Sequence, residues 1–404
     1  MQMKRRQFLS RSLIAGSLAA TEFHQNVHAA DAAVPPSLTV GEPLVAGPDS
    51  GNLAILQALS GPASGYIEIS INRGEWQKVL PEKQGMVAFE SHVLKFRLPP
   101  LPAGAELRYK VTVYSVQYAS AYKIQRGPHA TSVEYLIRCL DPTRKTTQFV
   151  VWNDTHENAK TIDALHQKTS ALKPDFLLWN GDQTNDVYAV EKMANQYVCP
   201  AGLGIAAHYP LAYLRGNHDV RGPAARYVED FTHCPGDDFS HAFRSGPVAC
   251  LTMDTGEDKP DSHPVFQGMV HFDAMRARQT QWLAKVMEEP WFRSAPYKLL
   301  FCHIPLWWTV DDPNREYYNC HKPCRMAWQD LLRKGGIQMI LSGHTHEPAY
   351  LPVTDQRPIA QMVGGGPQLE RATIMHAVAD ERHLRITMSR LDGAVLHDVT
   401  IHPV

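Results

Sequence analysis

Cysteine is scarce in this chain, with seven residues among 404, and the number is odd. Disulfide-dependent scaffolds are short and rich in cysteine, so that class of protein is excluded. A strong charge of either sign is also missing, because 40 basic residues stand against 41 acidic ones. The overall charge therefore gives no general attraction to an anionic membrane, and no feature of the sequence indicates specific nucleic-acid binding.

Long hydrophobic runs are absent as well. The apolar segment at residues 13–20 is shorter than the roughly 20 residues that a membrane-spanning helix needs. A basic start precedes this segment and small residues follow it, so residues 1–30 are predicted to be an export signal. The adjacent pair Arg5 and Arg6 is typical of twin-arginine signals, and an ordinary secretion signal is the alternative. We expect a periplasmic or extracellular protein without a membrane span.

The length predicts two domains, since it exceeds the ~100–200 residues of an ordinary one. In residues 35–141 apolar and polar residues alternate, as at Ile67, Ile69 and Ile71 and again from Leu107 to Val113. Alternation with turn residues between the runs indicates an antiparallel β-sandwich with one buried face in each sheet. Its size fits one immunoglobulin- or fibronectin-like sandwich of ~100 residues.

A different pattern begins at residue 146 and continues to residue 404. Continuous apolar runs alternate with helix-like segments at residues 158–172 and 279–289. Such runs indicate strands buried on both faces, as in an α/β domain. The runs occupy residues 149–152, 176–179, 211–214, 299–301 and 339–341.

Each of the five runs is followed by a polar cluster. In chain order the clusters are Asn153-Asp154-Thr155-His156, Asn180-Gly181-Asp182, Gly216-Asn217-His218-Asp219, His303 and Gly343-His344-Thr345-His346. Ligand sites of open α/β sheets lie beyond the carboxyl ends of strands, so the clusters are expected to converge. Imidazole and carboxylate groups together suit Zn, Fe or Mn, and 20 histidines in the chain favour metal or acid–base chemistry.

In this order the motifs resemble those of the calcineurin-like metallophosphoesterases, from Thr146 to the C-terminus. The resemblance implies a four-layer α/β/β/α sandwich with two divalent or mixed-valence metal ions, of Mn, Fe or Zn type, at its edge. It assigns Asp154, His156, Asp182 and His346 to the first ion. Asp182 would bridge to the second ion, which Asn217, His303 and His344 complete.

His218 and Asp219 are the predicted catalytic residues that are not metal ligands. The resemblance implies that His218 contacts the phosphate or protonates the leaving oxygen. Asp219 is expected to orient the His218 ring and to keep it charged. The alternative for Asp219 is a loop or helix-capping carboxylate.

The sandwich followed by this catalytic region also resembles the purple acid phosphatases, more loosely. Those enzymes place a tyrosine three residues after the bridging aspartate, where this chain has Asn185, and they lack a histidine at the position of His156. Phenolate ligation of ferric iron is therefore not expected.

Several residues are candidates for contacting the substrate. Trp307 and Trp308 either stack on a base or sugar ring or pack over the sheet edge. The glycines at positions 364–366 either let the backbone approach the site or form a tight turn. The loop that follows the tryptophans contributes the remaining candidates, which are Asp311, Asp312, Arg315, Tyr317 and Tyr318.

These patterns predict an exported dinuclear phosphoesterase that acts on small phosphate esters, with a preference for diesters. A metal-activated hydroxide would attack phosphorus while His218 assists departure of the alcohol. One alternative is a phosphomonoesterase resembling the acid phosphatases. The other is a non-catalytic surface-binding protein with a vestigial metal site. The partner of the sandwich domain stays open.

Overall fold

Apolar runs buried on both faces form the centre of the catalytic region. The computed structural model describes residues 37–308 and 320–404, and there each of the five predicted runs is a strand. The strands of this region are β11 (Thr147–Trp152), β12 (Phe176–Asn180), β13 (Leu211–Leu214), β14 (His241–Ser245), β15 (Val248–Thr252), β16 (Tyr297–Phe301), β17 (Met339–Ser342), β18 (Ala349–Leu351), β19 (Ala360–Val363), β20 (Thr373–Ala379), β21 (Leu384–Arg390) and β22 (Val395–Ile401). The helices are α1 (Ala159–Leu172), α2 (Val190–Met193), α3 (Val228–Phe231), α4 (Phe272–Val286), α5 (Pro290–Arg293) and α6 (Lys322–Lys334).

Successive residues of a strand face opposite sides of its sheet, and this alternation builds the layers. Phe149 and Val151 of β11 pack against the six-stranded sheet β14-β15-β16-β17-β19-β18. Trp152, on the other face of β11, packs with Ile162 of α1. The outer face of the six-stranded sheet is covered by α4 and α6. The predicted α/β/β/α sandwich is confirmed.

The observed ends of the two predicted helices agree with the prediction to different degrees. Asn158 caps α1, because its side-chain oxygen accepts a hydrogen bond from the Thr161 amide at 3.3 Å. The helix predicted at 279–289 begins earlier, at Phe272, and ends at Val286. Pro290 accounts for the early end, since the residue before a proline avoids the helical conformation, and Glu289 is extended with ψ 132°.

An all-β region precedes the catalytic region, as predicted. Its strands are β1 (Thr39–Ala46), β2 (Ala54–Leu59), β3 (Ala63–Ile71), β4 (Gln77–Val79), β5 (Glu82–Lys83), β6 (Met86–Val87), β7 (Val93–Arg97), β8 (Glu106–Ser120), β9 (Lys123–Thr131) and β10 (Tyr135–Arg138). The sheet β10-β8-β3-β4, with β9 paired to β8, packs against β1, β2 and β7 around a shared apolar core.

One sheet of this all-β region continues the catalytic sheet. β1 pairs in parallel with β13, with Ala46 opposite Leu211, and the nine strands run in the order β22-β21-β20-β11-β12-β13-β1-β2-β7. A buried hydrogen bond from the Tyr109 hydroxyl to the Ala207 carbonyl, 2.8 Å long, also links the two regions. The sequence patterns did not indicate this continuity, and the domain limits at 35–141 and 146–404 stay a prediction.

The predicted export signal lies outside the described residues, as do Asp311, Asp312, Arg315, Tyr317 and Tyr318. None of the helices in the described part of the chain combines the length and the hydrophobicity that a bilayer crossing requires.

Candidate metal centre

The loops that follow β11, β12, β13, β16 and β17 meet at one edge of the two sheets. Several of their functional residues have left-handed backbone conformations, which cost non-glycine residues of order 1–3 kcal/mol each. The φ angles are 48° at Asp154, 42° at His156, 52° at Asp182, 73° at His344 and 58° at His346. Such strain persists only where surrounding contacts impose it, and here it coincides with the predicted ligands.

The glycines of these loops give the ligands room. A Cβ atom on Gly216 would lie 2.2 Å from Oδ1 of Asp182, and one on Gly343 would lie 2.2 Å from Oδ2 of Asp154. Gly181 has a φ angle of +87°, and a Cβ atom there would lie 2.2 Å from Nδ1 of His303. Because real Cβ atoms do not approach other atoms so closely, these positions require glycine.

The predicted first ligand group is brought together. Nε2 of His346 lies 3.4 Å from Oδ1 of Asp154 and 3.2 Å from Nε2 of His156. Hydrogen bonding holds the Asp154 carboxylate in place, since both of its oxygens accept from the His344 amide, at 2.9 and 3.0 Å. The ligand atoms of these three side chains lie within 4.8 Å of one another.

The second ligand group is brought together as well. Asp182, His303 and His344 have ligand atoms within 4.8 Å of one another, and Oδ1 of Asn217 lies 2.8 Å from Nδ1 of His344. Nδ1 of the buried His303 ring lies 2.8 Å from the Asn180 carbonyl. That bond places the hydrogen on Nδ1 and turns Nε2 toward the carboxylates, as is usual for metal-binding histidines.

Asp182 lies between the two groups. Its Oδ2 is 3.4 Å from Nε2 of His156 and 3.1 Å from Nε2 of His303, so one oxygen faces both groups. Its Oδ1 accepts a hydrogen bond from the His218 amide at 2.9 Å. A carboxylate in this position could serve both ligand groups.

Burial and charge oppose one another at these ligands. Burial lowers the pKa of His303, but the carboxylates of Asp182 and Asp154 outweigh this effect and raise the pKa to about 10. Burial raises the pKa of Asp182, and the neighbouring His303 outweighs this and holds it well below its usual range. Burial lowers the pKa of His156, which favours the neutral, metal-binding form of the ring.

The donor set fits two divalent ions. Ring nitrogens of His156 and His346 point at one another across 3.2 Å, and carboxylate oxygens face imidazole nitrogens throughout the cluster. Mixed nitrogen and oxygen ligands suit Mn, Fe or Zn better than Mg or Ca, which prefer oxygen alone. One carboxylate placed between two groups is the arrangement that two-metal hydrolases use.

His218 lies beside the ligands, with its ring centroid 4.8 Å from that of His156. Its Nδ1 donates to the carbonyl of Asn185, and its Nε2 lies 3.1 Å from Nη1 of Arg221. The carboxylate nearest to the ring is Asp186, whose Oδ1 is 3.9 Å from Nδ1.

The prediction for Asp219 is not met, because its carboxylate points away from the His218 ring. Oδ2 accepts from the amides of Gly216 and Asp182, each at 2.8 Å, and Oδ1 accepts from the Tyr197 hydroxyl at 3.2 Å. Burial and the charge of Asp182 raise the pKa of Asp219 to about 7. Asp219 therefore shapes the loop that carries Asp182, in keeping with the alternative of a loop carboxylate.

The residues predicted to contact the substrate differ in their distance from the site. Trp307 is buried among the residues between the six-stranded sheet and its helices, so packing explains it. Gly366 comes close to the site, since a Cβ there would lie 2.6 Å from Cβ of His346.

The sequence patterns did not identify Arg221 or its buried partner Glu257, whose side chains form two hydrogen bonds of 2.5 and 2.9 Å. The only sequence signal for Arg221 was its place three residues after His218 in the same loop.

Comparison with known proteins agrees with this geometry. The family model described as calcineurin-like phosphoesterase matches residues 147–348. The serine/threonine-protein phosphatase CPPED1 of Mus musculus is 27% identical over 172 residues, which are 42% of this chain and 49% of that protein. The protein of the same name from Danio rerio is 29% identical over 147 residues, 36% of this chain and 45% of its own.

This chain thus spans about half the length of the curated relatives it matches. A structural neighbour covers more of it. Purple acid phosphatase PPD1 from seeds of yellow lupin (Lupinus luteus) superposes with a TM-score of 0.68 over 89% of this chain and 74% of its own. The identity is 14%, so this likeness concerns the fold alone.

Proposed function

The chain belongs to the calcineurin-like phosphoesterase family, and from that premise we propose that it hydrolyses phosphate esters with two divalent or mixed-valence metal ions of Mn, Fe or Zn type. One observation carries the proposal. Oδ2 of Asp182 lies 3.4 Å from Nε2 of His156 and 3.1 Å from Nε2 of His303, so it faces both ligand groups. The first group consists of Asp154, His156 and His346, and the second of Asp182, His303 and His344.

The ligand residues and His218 have different roles in such a reaction. Bound ions supply a water of lowered pKa and offset the negative charge of the phosphate. The chain holds the ions through the seven predicted ligands and positions His218 next to them. Because Nδ1 of His218 donates to the Asn185 carbonyl, Nε2 is the ring atom left to face the departing alcohol. Nε2 accepts from Arg221 in this structure, so it would have to gain a proton and turn from Arg221 to the substrate oxygen before acting as the acid.

The preferred substrate class is a finer proposal. We propose phosphodiesters, because the first motif pairs Asp154 with His156, a histidine that the purple acid phosphatases lack. Phosphomonoesters are the second candidate, and the name of the relatives, serine/threonine-protein phosphatase, favours them. A panel of mono- and diesters with the same alcohol, assayed on metal-loaded protein, separates the two classes by kcat/KM.

Hydrolysis of bis(p-nitrophenyl) phosphate in the presence of Mn²⁺ tests the proposed activity. We expect turnover that a chelator abolishes and that added metal restores. The rival is a non-catalytic surface-binding protein, which would hydrolyse neither mono- nor diesters at any metal loading. The complete set of ligand side chains, with His218 beside it, supports the enzyme.

We also propose that the protein is exported by a twin-arginine signal at residues 1–30 and acts in the periplasm or outside the cell. The support is the pair Arg5 and Arg6 before a short apolar segment. Replacing both arginines with lysine is expected to leave metal-loaded, active protein in the cytoplasm. Export of this variant as efficiently as the parent would contradict the assignment.

A further inference from the structure

A large cavity opens next to the proposed catalytic histidine. Two residues that approach the His218 ring, Asp186 and Arg221, line this cavity of about 1120 Å³. Small-molecule sites usually measure ~300–1,000 Å³, so the volume exceeds what a phosphate group alone would need. His218 itself does not line the cavity; Arg221, 3.1 Å from Nε2, and Asp186, 3.9 Å from Nδ1, stand between the cavity and the ring.

One wall of the cavity is apolar. It is formed by the segment that leads into α4, including Phe266 and Phe272. Val265 and Met269 are 64% and 76% exposed, and Tyr188 in the same cavity is 69% exposed. Large apolar side chains gathered in one concave surface and left open to solvent are typical of a ligand site.

Positive charge surrounds this apolar wall, and most of it is fixed by acidic partners. Arg221 pairs with Glu257 at 2.5 Å, and Arg278 pairs with Asp238 at 2.6 Å. Arg226 differs from them. It is exposed, lines the cavity, and makes no ion pair within the ranges that the structure describes. Its charge is therefore available to a ligand.

We propose that this cavity binds the alcohol part of the substrate, and that this alcohol combines an apolar group with a second negative charge that Arg226 recognises. The inference rests on the proposed function for the position of the phosphate. It goes further by naming what the leaving group must carry. The apolar wall contacts the carbon body, while Arg221, held by Glu257, faces the ester oxygen beside His218.

Kinetics with two matched esters test the charge requirement. The esters differ only in a carboxylate on the leaving phenol, and they belong to whichever class, mono- or diester, the parent hydrolyses. The parent is expected to favour the carboxylated ester, and Arg226→Gln is expected to reduce the ratio of the two kcat/KM values about three- to fivefold, the scale of an exposed ion pair. Comparing this ratio between the parent and the variant cancels the difference in intrinsic reactivity of the two phenols. The matched control is Arg382→Gln, an exposed arginine that does not line the cavity.

Binding without metal gives a second readout that does not depend on turnover. The probe is anilinonaphthalene sulfonate, an aromatic anion whose fluorescence increases on binding to an apolar surface. We expect both Arg226→Gln and Met269→Ser to weaken its binding several-fold, and Arg382→Gln to leave it unchanged. Unchanged probe affinity in the first two variants would overturn the proposal, as would an unchanged kcat/KM ratio in Arg226→Gln. Protein that binds the probe through Arg226 yet hydrolyses no ester would contradict the proposed function and retain the ligand site.

Discussion

Nε2 of His218 lies 3.1 Å from Nη1 of Arg221, so the proposed proton donor faces a permanent cation. Its other ring nitrogen donates to the Asn185 carbonyl. The ring is thus fixed on both sides, by a backbone oxygen and by a guanidinium that Glu257 anchors. A guanidinium can only donate, so Nε2 accepts from Nη1 in this arrangement. A substrate oxygen that took the place of this contact would meet the positive charge of Arg221, and it would receive a proton from His218 only once Nε2 is protonated.

This arrangement predicts how His218→Ala depends on the leaving group. Turnover of esters with alkyl leaving groups should fall by roughly 10²–10⁴-fold, the scale of general acid catalysis. Nitrophenyl esters should lose much less, because nitrophenolate departs without protonation. Metal content, measured by elemental analysis, should not change. His402→Ala, at an exposed histidine, is the control. Equal losses for both leaving groups would assign His218 to phosphate binding instead.

Asp182→Asn should remove both metals and abolish activity. Its Oδ2 faces His156 and His303 at 3.4 and 3.1 Å, and an amide oxygen carries too little charge to serve two dications. The measurement is metal content after dialysis, beside the exposed control Asp355→Asn. Retention of two tightly bound ions by the Asp182 variant would disprove the bridging role.

Gly216→Ala tests the glycine requirement without touching a ligand. The added methyl would lie 2.2 Å from Oδ1 and 2.5 Å from the amide of Asp182, so the bridging carboxylate must shift. Misplacement of a catalytic group by ~1 Å costs about 10²-fold in rate, and we expect a loss of that size together with weaker metal binding. Gly61→Ala is the control, since nothing lies within 4 Å of a Cβ there. Full activity of the Gly216 variant would show that the loop tolerates the methyl.

The sequence predicted the strands at the centre of the sheets and the convergence of the polar clusters, because both leave local signals. Strands buried on both faces are continuous apolar runs, and parallel strands bring the residues after their ends to one edge. Asp182 and His303, far apart in the chain, were therefore expected together. The pairing of β1 with β13 left no such signal, because it joins segments separated by about 165 residues through backbone hydrogen bonds, which any sequence can form, and through apolar contacts that carry no mark of their partner.

The partner of His218 was missed for a related reason. Adjacency in sequence suggested Asp219, but the turn sends that side chain back to the amides of Gly216 and Asp182. The group that holds the ring is a main-chain carbonyl, at Asn185, and every residue type carries one. Only the folded backbone identifies it.

The last prediction concerns stability and uses a histidine outside the metal centre. His241, the first residue of β14, is buried against Phe243, with ring centroids 5.4 Å apart. Burial, together with a smaller effect of the nearby His233, lowers the pKa of His241 to about 3. The unfolded chain has a histidine pKa of ~6.5, so below that pH it binds a proton that the folded protein does not. Stability from this group is therefore complete above pH 6.5 and declines as the pH falls toward 3.

Between pH 7.5 and 5 the loss from His241 alone should be about 2 kcal/mol in the free energy of unfolding. Denaturant unfolding of the parent and of His241→Leu at both pH values, with chelator present throughout, measures it. The variant is expected to lose about 2 kcal/mol less than the parent on acidification, whatever its stability at pH 7. Taking the difference between two pH values removes the cost of the substitution itself, and the metal ligands contribute equally to both proteins. His402→Leu, at an exposed position, should lose as much unfolding free energy on acidification as the parent does. Identical losses in the parent and in His241→Leu would mean that His241 is protonated in the folded protein as readily as in the unfolded chain.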